Sequence, residues 1–364
     1  LKARIVIGAN FGDEGKGLVT DYLCSQGAGM VVRYNGGCQA GHTVVTPDKE
    51  RHVFHHFGSG TFCEVPTFLS QFFVLNPILF FKERDELIRL GFHPEVYAHP
   101  DCLVTTFMDM LINQHKETKR GAKRHGSCGV GVHETMQRSL VSELKITMSD
   151  LWNGGKRLPD QLVEICGQYA KYRTGQVCDV AFQDKAIEEF IKCCAQFAQC
   201  VNPLGIGQCK DPVFEGAQGL LLDQNNKEFF PHVTHSNTGM ANVEVLCAQA
   251  AITEKEVYYV SRTYLTRHGA GPLPGEDASL SFADDTNVAN EFQGKLRFAP
   301  LDERRLIERI MNDAGSNPYK LVLTHCDQLA PSCLADFYCD GPTRESVVED
   351  VHATVEITEP SPTH

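Results

Sequence analysis

Residues 3–46 decide the fold. Ala3-Arg4-Ile5-Val6-Ile7-Gly8 leads into Gly12-Asp13-Glu14-Gly15-Lys16-Gly17, and a periodic segment runs from Leu18 to Cys24. Val31-Val32-Arg33-Tyr34-Asn35-Gly36-Gly37 then continues to Gln39-Ala40-Gly41-His42-Thr43. This reads as a strand, a glycine-rich turn opening a helix, a second strand and a second glycine-rich turn. Backbone N–H groups freed beside a helix N-terminus and a lysine form a phosphate cradle. Asp13 and Glu14 are out of place in a loop that only binds anions, so the turn calls for a metal, a general base or both. The expected chemistry is therefore carried out on phosphates.

Three later stretches repeat the strand-then-polar-turn logic: Pro212 to Gly219, Glu256 into Arg262-Thr263-Tyr264-Leu265-Thr266-Arg267, and Lys320-Leu321-Val322-Leu323-Thr324-His325-Cys326-Asp327. With the opening unit, strands end after Ile7, Phe214, Val260 and Leu323. In an open parallel sheet ligands sit at the carboxyl ends of strands, so these turns should share one rim. The expected fold is α/β, P-loop-like, with a mostly parallel central sheet flanked by helices. Residues 1–345 read as a single domain, with 142–209 a helical insertion or scaffold and 346–364 an acidic, loosely ordered tail. The basic run from Lys116 to Arg124, entering a glycine-spaced loop, reads as closing on an anion. Arg262 and Arg267 read as a clamp for a carboxylate or phosphate.

Composition narrows the function classes. A formal charge of −12 over 364 residues argues against nucleic acid as a partner. No apolar stretch is long enough for a bilayer, and no signal-peptide pattern opens the chain. The 15 cysteines are scattered without C-x-x-C spacing, so they read as reduced, buried apolar residues in a cytoplasmic protein. His52, His55 and His56 invite a metal, but structural or substrate-lining roles rank above it.

The opening loop is not a standard Walker A: Asn10 stands at the first glycine position and Gly17 where Ser or Thr belongs. Together, G-D-E-G-K-G, A-G-H-T and E-G-A-Q-G-x-L-L-D resemble the adenylosuccinate synthetase family, since three separated motifs coincide in order. The resemblance implies a ligase that phosphorylates a purine 6-oxo group from a nucleoside triphosphate and displaces the phosphate with L-aspartate, using Mg²⁺. It implies catalytic roles for Asp13, Lys16 and His42. Gly12, Glu14, Gly15, Lys16, Gly17, Gly41, Thr43 and Asp327 would hold the triphosphate, with Asp13 and the Gly41 carbonyl in the metal shell. Asn35, Gln39, Ser127, Cys128, Gln218 and Thr234 would hold the purine monophosphate, joined by Arg138 offered to a neighbouring subunit, hence a homodimer. Thr266, Arg267, Gly294 and Arg297 would bind aspartate.

Departures fall on the substrate contacts. Gln293-Gly294-Lys295-Leu296-Arg297 replaces the family's T-T-G-R-x-R-R, Ser127-Cys128 replaces two threonines, and His325 replaces a lysine. Asp340 to Arg344 also follow closely after Asp327. This pattern resembles the shortened viral branch, some of whose members use dGMP in place of IMP, and then the host cytoplasm is the expected compartment. A P-loop GTPase or ATPase switch, a catalytically dead nucleotide binder and a metal store are the readings from other classes. The missing Ser/Thr after Lys16, the intact Asp13, Lys16 and His42, and the unpatterned cysteines and histidines argue against them in turn.

Overall fold

Alternation within short apolar runs sets the layers. In the first strand Ile5 and Ile7 join one buried cluster while Val6 joins another, the period of two expected of a strand covered on both faces. The protein is described by a computed structural model for residues 2–121, 129–176, 180–284 and 295–350, with only the backbone considered at 180–182. Ser127, Cys128 and Gly294, expected to bind substrates, lie outside the described residues.

In chain order, β1 (Lys2–Gly8), α1 (Lys16–Ser25), β2 (Met30–Arg33) and the hairpin β3 (His42–Val45) and β4 (Arg51–Phe54) form the first unit. Then come β5 (Thr67–Leu69), β6 (Val74–Leu75), α2 (Pro77–Arg89), β7 (Val96–Ala98), β8 (Leu103–Val104) and α3 (Phe107–Arg120). The scaffold follows as α4 (Val132–Arg138), α5 (Met148–Trp152), α6 (Leu158–Glu164), α7 (Ala170–Thr174), α8 (Val180–Cys200) and β9 (Val201–Pro203). The last part holds β10 (Pro212–Gly219), α9 (Met240–Gln249), β11 (Glu254–Arg262), β12 (Tyr264–Arg267) and β13 (Arg297–Pro300). It ends with α10 (Glu303–Ala314), β14 (Tyr319–Thr324), β15 (Phe337–Cys339) and β16 (Val347–Glu349).

The main sheet has ten strands in the order β16-β15-β14-β11-β1-β10-β2-β5-β7-β9. Its pairs are parallel except β15 with β16. Thus β14, β11, β1 and β10, the strands expected to share a rim, are adjacent and parallel. Leu18, Val19 and Leu23 of α1 cover one face, and Val243, Leu246, Leu306 and Ile310 of α9 and α10 cover the other. The described residues of 142–209 are largely helical and pack Leu162, Phe190 and Phe197 with Phe80 of α2 in a separate core.

Two expectations are corrected. The tail does not begin at 346, because Val347–Glu349 pair antiparallel with β15 as an edge strand. Arg138 is not offered to a neighbour. It is fully buried, its Nε 3.0 Å from Asp109 Oδ1 and its Nη2 donating to Val104 O at 2.7 Å. A buried guanidinium needs a carboxylate and carbonyls around it, and here both come from its own chain. Asp109 also closes the capping box of α3 with Thr106. Asp109→Ala is therefore expected to lower unfolding free energy by about 3–5 kcal/mol in a urea titration. A loss under about 1 kcal/mol would contradict the role assigned to this pair.

Glu83 anchors the histidine-rich turn. Glu83 of α2 accepts the backbone N–H groups of His55 (2.7 Å), His56 (2.8 Å) and Phe57 (3.3 Å), and His56 Nδ1 lies 3.1 Å away. Its oxygens are occupied by the turn that follows β4. Among the described residues no group of three or more His, Cys, Asp or Glu could hold a metal, no disulfide forms, and no helix is long and apolar enough to cross a membrane.

Candidate active site

The turn between β1 and α1 is held in a conformation few sequences can adopt. Gly12 and Gly15 have φ of 93° and 90°, and Asp13 itself is left-handed at 58°. Glu14 folds back beneath the turn, where Asn10 N–H donates to its Oε1 at 2.5 Å. Both Glu14 and Lys16 are buried. Burial raises the Glu14 carboxyl to about 7 despite Lys16, and lowers the Lys16 amine against the pull of Glu14, Asp13 and Glu215. Lys16 thus lies within electrostatic reach of all three carboxylates.

Gly8 makes this packing possible. A Cβ there would lie 2.3 Å from Glu14 Oε2, 2.6 Å from Gln218 O and 2.9 Å from Lys16 Nζ. Gly8→Ala is expected to reduce turnover roughly tenfold or more by displacing the Glu14–Lys16 pair. A variant as active as the parent would show that the approach is not needed.

The second glycine turn delivers His42. A Cβ on Gly17 would lie 2.7 Å from Thr43 O, so α1 and the start of β3 touch through a glycine. His42 is buried, with Nδ1 2.7 Å from Glu215 Oε1 on β10. Ser59 donates to the same carboxylate through its backbone N–H at 3.1 Å and through its hydroxyl. Arg33 Nε lies 3.8 Å from Glu215 Oε2. Burial opposes ionisation of Glu215, but His42, Arg33 and Ser59 outweigh it and hold the carboxyl at about 2. Burial lowers His42 to about 4, so at neutral pH the imidazole donates its Nδ1 proton to the carboxylate and keeps Nε2 for a ligand.

The other turns meet here. Gly36 approaches Ala217 and Gln218, with Gln39 beside them, and its N–H donates to Ser236 Oγ at 3.1 Å, tying in the loop that carries Thr234. Thr324, at the end of β14, donates to Glu14 O at 2.9 Å, and Asp327 lies exposed just beyond. Glu14 Oε2, Thr43 Oγ1, Gln218 Oε1 and Thr266 Oγ1 are buried without hydrogen-bond partners. Such orphans need a ligand or water to satisfy them.

Some expected binders are committed elsewhere. Asn35 uses both ends of its amide on Ala217, accepting from its N–H at 2.7 Å and donating to its carbonyl at 3.1 Å. Arg267 donates to Pro272 O and His232 O, both at 2.7 Å, and lies over the Phe11 ring. Arg297 pairs with Glu276 and donates to Gly269 O and Gly271 O. Arg262 does not clamp a ligand with Arg267. Its Nε donates to Asp13 O at 2.5 Å and its Nη2 to Asp284 at 2.7 Å. Lys116 pairs with Glu134 and Arg120 with Glu117, so two of the basic residues in the described part of that run already have counter-charges. Sequence reasoning missed Glu215, Ser59 and Arg309. Glu215 sits in a quoted motif, but the motif does not say which side chain it will meet.

Comparison with known proteins agrees with this layout. The family profile described as adenylosuccinate synthetase matches residues 5–297. The adenylosuccinate synthetase of Acinetobacter baylyi is 31% identical over 299 residues, 78% of this chain and 66% of the relative. That of Pseudomonas fluorescens is 30% identical over 289 residues, 76% of this chain and 65% of the relative. The chain thus spans about two thirds of the length of these curated relatives. Among solved structures, fully ligated adenylosuccinate synthetase from Plasmodium falciparum superposes with a TM-score of 0.75 at 17% identity, covering 95% of this chain and 99% of the other. Succinoaminodeoxyadenylate synthetase of cyanophage S-2L, bound to dGMP and dATP as an energy donor, superposes with a TM-score of 0.64 at 16% identity, covering 96% and 95%. The profile match, the two curated relatives and the shared sheet identify this chain as a member of the adenylosuccinate synthetase family.

Proposed function

We propose that the protein is a carbon–nitrogen ligase that joins L-aspartate to C6 of a purine nucleoside monophosphate, driven by a nucleoside triphosphate. The observation that carries this reading is the convergence of Asp13, Lys16 and the His42–Glu215 pair at the ends of adjacent parallel strands, beside unsatisfied polar atoms. Asp13 removes the purine N1 proton, and O6 attacks the γ-phosphorus as its bond to the leaving diphosphate breaks. Lys16 and the N–H groups of residues 12–17 balance the phosphate charge. That charge favours protonation of His42 at Nε2, and Glu215 offsets the imidazolium formed. The aspartate amine then attacks C6, loses a proton and expels O6 as inorganic phosphate.

Mg²⁺ fits the donor set. The Asp13 carboxylate is partly accessible and Gly41 is exposed, which supplies two protein oxygens. Magnesium keeps most of its shell for water and substrate phosphates, so no larger cluster is required. When bound it neutralises charge on the phosphates.

The proposed acceptor is dGMP. Gln293 to Arg297 carries one arginine where the family's T-T-G-R-x-R-R has three, and that arginine pairs with Glu276 and donates to two carbonyls, which leaves fewer groups to read a ribose hydroxyl. The proposed donor carries adenine. Thr324 gives its hydroxyl proton to Glu14 O, so His325 Nδ1–H must donate to Thr324 Oγ1 at 2.9 Å. Burial and Arg262 lower His325 to about 3, so it is neutral and offers a lone pair at Nε2. That suits the adenine amino group and not a guanine O6. The curated relatives favour a second reading, IMP as acceptor with GTP as donor.

Purified protein should be assayed for phosphate release with dGMP, GMP and IMP against ATP, dATP and GTP, with and without aspartate. Aspartate-dependent release with dGMP and an adenine nucleotide is expected. Activity confined to IMP overturns the acceptor, and release without need of aspartate overturns the ligase. The reading carries a soluble, cytoplasmic enzyme with it. It no longer carries a dimer, whose argument was Arg138.

A further inference from the structure

We infer that Arg262 is a positioning residue that aims Asp13, with Asp284 and the turn at 325–328 setting how firmly it holds. The role given to Asp13 rests on the ligase reading.

The 9–15 turn contains glycines at positive φ and a left-handed aspartate, so the peptide after Asp13 has little local structure to orient it. Neighbouring elements impose its direction instead. Arg262, the last residue of β11, is 3% exposed and donates Nε–H to Asp13 O at 2.5 Å. Thr324, the last residue of β14, donates to the next carbonyl, Glu14 O. Arg309 of α10 donates to Ala9 O at 2.6 Å and also bonds Asn10 Oδ1. Two consecutive carbonyls are therefore gripped from two adjacent strand ends. A rotation of the 13–14 peptide, which would swing the Asp13 carboxylate, must break a buried charge-assisted bond.

The rest of the Arg262 guanidinium is fixed as well. Nη1 donates to Tyr264 OH at 3.1 Å and Nη2 to Asp284 Oδ2 at 2.7 Å. Tyr264 OH donates to Gln328 Oε1 at 2.5 Å, and Gln328 Nε2 donates to Ala283 O at 2.8 Å. Phe282 stacks on Tyr264 with centroids 3.8 Å apart and planes 9° apart, and His325 meets the same ring edge-on. One network thus joins the Asp13 carbonyl, the turn expected to meet the triphosphate base, and the segment 282–284. Lysine could replace the charge of Arg262 but not its three directed contacts.

The test compares Arg262→Gln, Arg262→Lys and Asp284→Asn with the parent in turnover and in amide hydrogen exchange. Arg262→Gln should lower kcat by roughly ten- to a hundredfold with substrate KM values unchanged. It should also speed exchange across residues 9–15. Arg262→Lys should recover part of kcat, and Asp284→Asn should show a smaller change in the same direction. Unchanged exchange at 9–15 with kcat near the parent's overturns the inference, as does a loss confined to KM. If Arg262→Gln does not fold, Asp284→Asn decides by the same two readouts. A parent lacking aspartate-dependent phosphate release would defeat the ligase reading, while the exchange comparison would still judge the grip on the turn.

Discussion

Asp13→Asn is expected to lower aspartate-dependent phosphate release by roughly 10³-fold or more. Asparagine is nearly isosteric and tolerates the left-handed conformation that residue 13 adopts, so the turn should survive the change. On the proposed mechanism what is lost is the ability to take the N1 proton, without which O6 is a weak nucleophile. Triphosphate binding, assigned in the proposal mainly to the Lys16 amine and backbone N–H groups, should persist, weakened by loss of the proposed metal ligand. A variant turning over within tenfold of the parent would remove Asp13 from the role of general base.

Glu215→Gln is the second large effect, expected at roughly 10³-fold in kcat. The carboxylate accepts the His42 Nδ1 proton and balances any charge the ring acquires. A glutamine can present an N–H to Nδ1 instead, which reverses the tautomer and leaves no countercharge. Retained activity in Glu215→Gln, with loss only in His42→Asn, would show that the ring works without its partner. Stability should also depend on pH through this ring. His42 titrates near 4 in the fold, against 6.5 in an unfolded chain. At this ring the unfolded state therefore binds more protons in that window, and the contribution of His42 to stability should fall as pH drops from 6.5 towards 4. Glu14, raised to about 7, contributes with the opposite sign, so the check is the difference in melting temperature between the parent and His42→Asn: a difference that stays constant across that range would contradict the burial of a neutral His42.

The strands of the rim were legible because each is a short apolar run ending in a polar turn, a pattern that survives without knowledge of partners. Asp13, Lys16 and His42 could be singled out as candidates because residue type and local spacing mark them. The residues whose structural partners the sequence did not show share a different property. Asn35, Arg138, Arg262 and Arg267 are long or amide-bearing polar side chains whose partners lie far away in sequence, on Ala217, Asp109, Asp13 and Pro272 among others. A buried arginine bonded to carbonyls and one aimed at a phosphate have the same local sequence. Burial alone separates them, and burial depends on the whole fold.

The position of β1 in the middle of the sheet has a consequence for how the molecule is made. Its neighbours are β10 and β11, so Arg4 must wait for Val213 and Lys2 for Glu254 before either edge of the first strand is paired. Contacts so distant in sequence close slowly and leave apolar side chains exposed and strand edges unpaired during synthesis. A ribosome-bound fragment ending before residue 213 would already carry the Gly12–Gly17 turn, yet would lack Glu215, Arg262 and Thr324, which orient it. On the proposed reading, competence for nucleotide should therefore arise late and all at once, after Thr324 has emerged.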